Sequence, residues 1–148
     1  MELTDLLEKK SAEIIESALA SLNRAHLKSY TKSTEQENRS RLMNLLSLTR
    51  QCIKEKNLLP ITEYSERIAK ERYEQGFDLF EVHTAFNVLE EVIWKRVVHN
   101  VEPQKLGEAL GFISTVLGTG KETLALTYVS LASKHKTKTL NLVELFNR

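Results

Sequence analysis

Apolar residues return every third or fourth place along most of the chain, and the clearest punctuation of that pattern falls at Gly76 and Pro103. Leu79, Val82, Ala85, Phe86, Leu89, Val92, Ile93 and Val97 lie on one broad face of a helix at this spacing. Just before them, Gly76 is suited to the left-handed conformation that ends a helix. Asp78 is suited to cap the next one, with Glu81 three residues on to close the box. The stretch 72–98 therefore predicts a tight helix-turn-helix corner that opens into a central helix, with Arg72, Gly76, Asp78 and Glu81 as the residues that build it. Phe80, Trp94 and Val98 fall on the other side of that helix, among His83, Asn87 and Glu91. That second apolar strip either packs under a neighbouring element, the commoner fate of large aromatics, or is offered to a partner. Arg96 sits on the apolar face near the helix end, where its stem can pack while its head reaches water.

The same periodicity predicts the remaining rods. Leu3, Leu6, Leu7, Ile14, Ala18 and Leu22, widened by Ile15 and Leu19, give helix one over 3 to about 28. The polar segment 29–38 then reads as a loop in which Ser33 or Thr34 starts the next helix. Helix two follows to about Lys56 on Leu42, Leu45, Leu46, Thr49, Cys52 and Ile53. Pro60 opens helix three, which carries Ile61, Tyr64, Ile68 and Tyr73 up to Gly76. From Pro103, the residues Leu106, Leu110, Ile113, Leu117, Leu124, Tyr128 and Leu131 stay in phase across Gly118 and Gly120. Phase favours one continuous or kinked helix five, although each interior glycine costs about 1 kcal/mol. Along it, Gly107, Gly111, Ser114, Gly118, Ala125 and Ala132 form a stripe of small residues that lets another backbone approach. The intruder is either helix four or one of the same chain or a two-fold partner. The segment 133–139 reads as a basic linker and 140–146 as a short amphipathic helix that docks. The expected fold is all-α: one domain over 1–148, with a bundle of about five helices over 1–132 and the linker and short helix over 133–148.

A chain of 148 residues can close a core of this kind without disulfides or metals. Its formal charge of +1, with 28% charged residues, makes no field that would gather a polyanion, and Lys134, Lys136 and Lys138 read as a solubilising tail. No nucleic-acid partner is expected. Cys52, the single cysteine, is in register with the apolar stripe of helix two and reads as a buried small residue. There is no run resembling a signal peptide and no apolar stretch of membrane-spanning length, so the expected location is the cytoplasm, with no membrane partner.

Candidate chemistry thins out on inspection. The sequence 118–123, GTGKET, has Thr115 where a phosphate-binding loop needs glycine, and no strand leads into it. His26, His83, His99 and His135 are too dispersed to build a metal site, and His99 lies on the polar side at a helix end, a poor place for a haem ligand. No cofactor is expected. Glu71, Glu74, Glu90 and Glu91 sit where solvent or helix ends take them, no nucleophile-base pairing stands out, and no catalysis is expected.

The segment Ile68-Ala69, then Arg72-x-x-x-Gly76-x-x-Leu79-x-Glu81-Val82, leads into an apolar helix and a Leu-rich helix ending near Tyr128. This resembles the N-terminal domain of stressosome co-antagonist proteins of the RsbR/RsbRD type, over roughly 5–135. Similar corners stand at the front of some bacterial sensor kinases and purine-catabolism-type regulators. The resemblance implies a non-enzymatic helical input module, globin-like in outline, that acts through dimerisation and attached output domains. It also implies that Arg72 braces the corner, with Glu81 as its partner, and that Phe80 and Trp94 lie near a sensing or dimer surface. The sequence stops at Arg148 with no anti-sigma-antagonist module or kinase core, which shifts the expectation toward a free-standing partner-binding protein. Two functional readings follow. One is a homodimeric signalling module that binds a protein partner through Phe80, Trp94 and Val98, or through the groove at Gly107, Gly111 and Gly118. The other is a ligand or haem sensor with a pocket inside the bundle near Trp94 and Tyr128.

Overall fold

A computed structural model describes the backbone of residues 1–146 and the side chains of residues 1–135. Among the described residues there is no strand, and the helices are α1 (Leu3–Lys9), α2 (Ser11–Arg24), α3 (Lys28–Lys32), α4 (Glu35–Glu55), α5 (Leu59–Glu74), α6 (Leu79–Asn100) and α7 (Pro103–Phe146). The all-α class follows from the periodicity, and the punctuation falls where local chemistry puts it. Thr34 caps α4: its hydroxyl accepts from the Glu37 N–H at 3.0 Å while Glu37 Oε1 accepts from the Thr34 N–H at 2.9 Å. Pro60 occupies the first turn of α5, where its missing N–H costs nothing. Lys56 ends α4 in the left-handed region at φ 52°.

α4 runs antiparallel to α1 and α2, as the pairs Arg39–Glu16 and Arg50–Glu8 show. α7 lies along both α5 and α6. It is parallel to α5, with Ile61 and Ser65 beside Gly120 and Tyr73 against Tyr128. It is antiparallel to α6, with Asn87 and Glu90 at Lys121 and Phe77 at Tyr128. The core between these layers is filled by side chains without solvent contact, among them Leu6, Ile14, Ile61, Leu89, Ile113 and Leu117. Burying each such side chain contributes about 1.5–3 kcal/mol relative to leaving it in water.

Three features depart from the sequence reading. Helix one is divided at Lys10, which leaves helical geometry at φ −100°, ψ 11° and accepts the Ile14 N–H as the first carbonyl of α2. A short helix, α3, stands inside the segment read as loop, held there by the buried ring of Tyr30. α7 is continuous through Gly118 and Gly120, as phase favoured, and its backbone stays helical through 133–139, where the basic sequence suggested a linker. The docking expected of the side chains at 140–146 lies outside the described residues.

Candidate functional site

The corner between α5 and α6 is built as a helix stop followed at once by a helix start. Gly76 takes φ 86°, its N–H reaches the Tyr73 carbonyl at 3.1 Å, and the Phe77 N–H returns to the Arg72 carbonyl at 2.9 Å. The turn drives the Phe77 ring into the bundle, where it meets Tyr30 edge-on at 5.2 Å between centroids. The guanidinium carbons of Arg41 and Arg72 lie 5.2 Å and 5.8 Å from the same ring. On the far side of the turn, the Asp78 N–H donates to Glu81 Oε2 at 2.9 Å.

Glu81 does more than close that box. Its Oε1 accepts from the Ser29 N–H and its Oε2 from the Ser29 hydroxyl, both at 2.7 Å, tying α3 to the head of α6 across 52 residues of sequence. Burial by itself would raise the Glu81 carboxyl, but the bonds from Ser29 and Asp78 outweigh it and hold the group below the usual carboxylate range. Arg72 and Glu81, expected as partners, are therefore engaged elsewhere. The Glu81 oxygens are taken by Ser29 and Asp78, whereas Arg72 Nη1 donates to Glu71 at 3.3 Å and its guanidinium rests near the Phe77 ring. The Tyr30 hydroxyl, buried against this cluster, is pushed up to about 12, chiefly by desolvation.

A second group of residues faces outward. Phe80, Trp94 and Val98 are 72%, 41% and 53% exposed, so the second apolar strip of α6 stands open among the described residues. Trp94 and Val98 line a surface groove of about 500 Å³ together with Asn87, Glu90, Glu91, Lys95 and His99. On α7, a Cβ added at Gly107, Gly111 or Gly118 would meet nothing within 4 Å among the described residues. Among these residues, the glycines of the small-residue stripe thus press against no other helix. Gly120, outside that stripe, does: a Cβ there would lie 2.9 Å from Phe86 Cε2 and 3.1 Å from both Ile61 Cγ1 and Ser65 Oγ. Lys121 spans α6 and α7, with Nζ 2.9 Å from Asn87 Oδ1 and 2.8 Å from Glu90 Oε1.

Two further exposed apolar residues, Leu126 and Val129, stand on α7 and were absent from the sequence reading. Their signal was available: neither is in phase with Leu124, Tyr128 and Leu131, so both had to point away from the core. Trp94 and Tyr128 do not share the wall of a pocket, because Trp94 is on the surface while Tyr128 is buried and donates its hydroxyl to the Phe77 carbonyl at 2.9 Å. Among the described residues, no group of three or more His, Cys, Asp or Glu is placed to hold a metal. No helix is long and apolar enough to cross a membrane, among the described residues.

Comparison with known proteins finds no matching curated protein and no matching solved structure. The family model of the RsbT co-antagonist protein rsbRD N-terminal domain matches residues 12–130, from the first turn of α2 through the corner to just past Tyr128 on α7, and the chain belongs to that family.

Proposed function

We propose that this protein is a stressosome-type signalling module that works as a homodimer and binds a protein partner, without catalysing a reaction. Family membership supports a regulatory domain related to stressosome signalling. The observation that carries the dimer is the outward surface of α6 and α7. Phe80, Trp94 and Val98 stand exposed on one helix, and Leu126 and Val129 on the other. On α7, Gly107, Gly111 and Gly118 open a track that nothing fills among the described residues. Three interior glycines cost α7 about 1 kcal/mol each, with no return from packing against the described residues. A second copy of α7 laid along that track gives the return, because glycine lets backbones approach closely. An isologous seam of this kind also covers the apolar strip of α6.

Sedimentation velocity over a wide concentration range tests this. The expected result is a reversible monomer–dimer equilibrium that shifts to monomer in Gly111→Leu, Gly118→Leu and Trp94→Glu. A protein that stays monomeric throughout, or a dimer indifferent to all three changes, refutes the seam.

A further inference from the structure

The cleft between α4 and α5, about 350 Å³ in volume, is lined by three guanidiniums, Arg41, Arg67 and Arg72, with Tyr64, Asn44 and Gln75 among its other walls. None of the three is well matched to a carboxylate. Arg72 is only 4% exposed, its one ion pair among the described residues is a 3.3 Å contact with Glu71, and its Nε is buried with no acceptor there. Arg41 spends Nη1 on two neutral groups, the Ser33 hydroxyl at 2.7 Å and Asn38 Oδ1 at 3.0 Å, and its nearest carboxylate, Glu37, is 4.0 Å away. Arg67 is stacked over the Tyr64 ring at 5.3 Å, and no carboxylate lies within ion-pair distance of it among the described residues. The two acidic groups on the cleft, Glu37 and Glu71, are half exposed at its rim.

Buried charge without a close counter-charge is costly, and the Phe77 ring that Arg41 and Arg72 both approach offsets only part of that cost. Burial, and after it the neighbouring charge of Arg72, push the Arg41 guanidinium down. The lining therefore carries three cations against two rim carboxylates and includes a deep donor with nothing to bind. Guanidinium forks match the planar or tetrahedral oxygens of carboxylate and phosphate, and a space of this size suits a metabolite rather than a macromolecule.

We propose that the α4–α5 cleft binds a small-molecule oxyanion, the phosphate or carboxylate group of a low-molecular-weight ligand, on Arg41, Arg67 and Arg72. The cleft shares no residue with the proposed dimer surface, so the two readings stand or fall separately. The test is calorimetric titration and thermal unfolding of the full chain with inorganic phosphate and, separately, with succinate, at ionic strength held constant with chloride. At least one probe binds saturably and raises the melting temperature beyond the chloride control. Binding by phosphate alone assigns a phosphoryl ligand, and binding by succinate alone assigns a carboxylate ligand. Arg67→Gln, a surface change that leaves the core intact, weakens binding about tenfold, as does Arg41→Gln, through loss of a charge-assisted contact. Lys70→Gln, exposed on the same helix but outside the cleft, binds as the parent does. The proposal is overturned if neither probe saturates, or if Arg67→Gln binds indistinguishably from Lys70→Gln.

Discussion

Replacing Gly120 and Gly118 by alanine, one at a time, separates helix propensity from packing on a single rod. Both sites lie inside α7, so both variants gain the same backbone term, about 1 kcal/mol in favour of the folded helix. At Gly118 the new methyl enters open space, and the variant is expected to be more stable by about that amount. At Gly120 the methyl comes within 2.9 Å of the Phe86 ring and 3.1 Å of Ile61 and Ser65, all of them buried. Forcing these side chains apart costs about 1–3 kcal/mol, the usual range for overpacking a closed core. The propensity gain cancels in the comparison, so Gly120→Ala should fall below Gly118→Ala by about 1–3 kcal/mol. In a domain of this size each kcal/mol corresponds to about 2–4 °C in melting temperature. Urea unfolding followed by circular dichroism, at concentrations where sedimentation reports monomer, measures the difference. Equal stabilities for the two variants would mean that α5 and α6 do not close on α7 at Gly120, and the packing described above would be wrong.

Two further predictions rest on the corner. The Glu81 carboxyl titrates below its unfolded value, so its contribution is complete above about pH 4.5 and is lost as the pH falls through the folded value. Glu81→Gln should then cost about 1–3 kcal/mol at neutral pH, the worth of bonds to a charged acceptor, and the gap from the parent should close in acid. A gap that persists unchanged at pH 3 would contradict the assignment. Tyr128→Phe removes the bond to the Phe77 carbonyl and leaves that buried oxygen bare, which should lower stability by about 1–3 kcal/mol and speed amide exchange around 76–78. Unaltered exchange there would show that Tyr128 does not hold the turn.

What was legible in the sequence was written in short-range chemistry. Gly76, the Asp78–Glu81 spacing, Pro60 and Pro103 act within one turn of the backbone, and each ends or starts a helix where its letters say. The break at Lys10 carries no glycine or proline, and Leu7 and Ile14, seven residues apart, stay in phase across it, so periodicity passes over it. α3 is five residues long, too short to show a period or to be stable alone, and it exists because Tyr30 packs on Phe77 and Ser29 is held by Glu81. The candidate surface was half readable. The exposed strip at Phe80, Trp94 and Val98 followed from helix phase, but whether another element covered it depended on where α7 lay. Gly118 and Gly120 are two residues and about 200° apart on the helix, so one opens outward and the other meets the core. Arg41 and Arg72 are on different helices, and only the packing of α4 on α5 brings them to one cleft.

The unbroken course of α7 gives the molecule a mechanical property. Phe146 lies 26 residues beyond Gly120, about 39 Å along the axis at the helical rise. Pivoting the rod by about 5° at the pinch between Phe86 and Ile61 would sweep its far end through about 3 Å, with no joint along the way to absorb the motion. A disturbance too slight to alter the fold near the pivot would thus arrive at the tip enlarged, as the pointer of a balance reports a displacement of its beam.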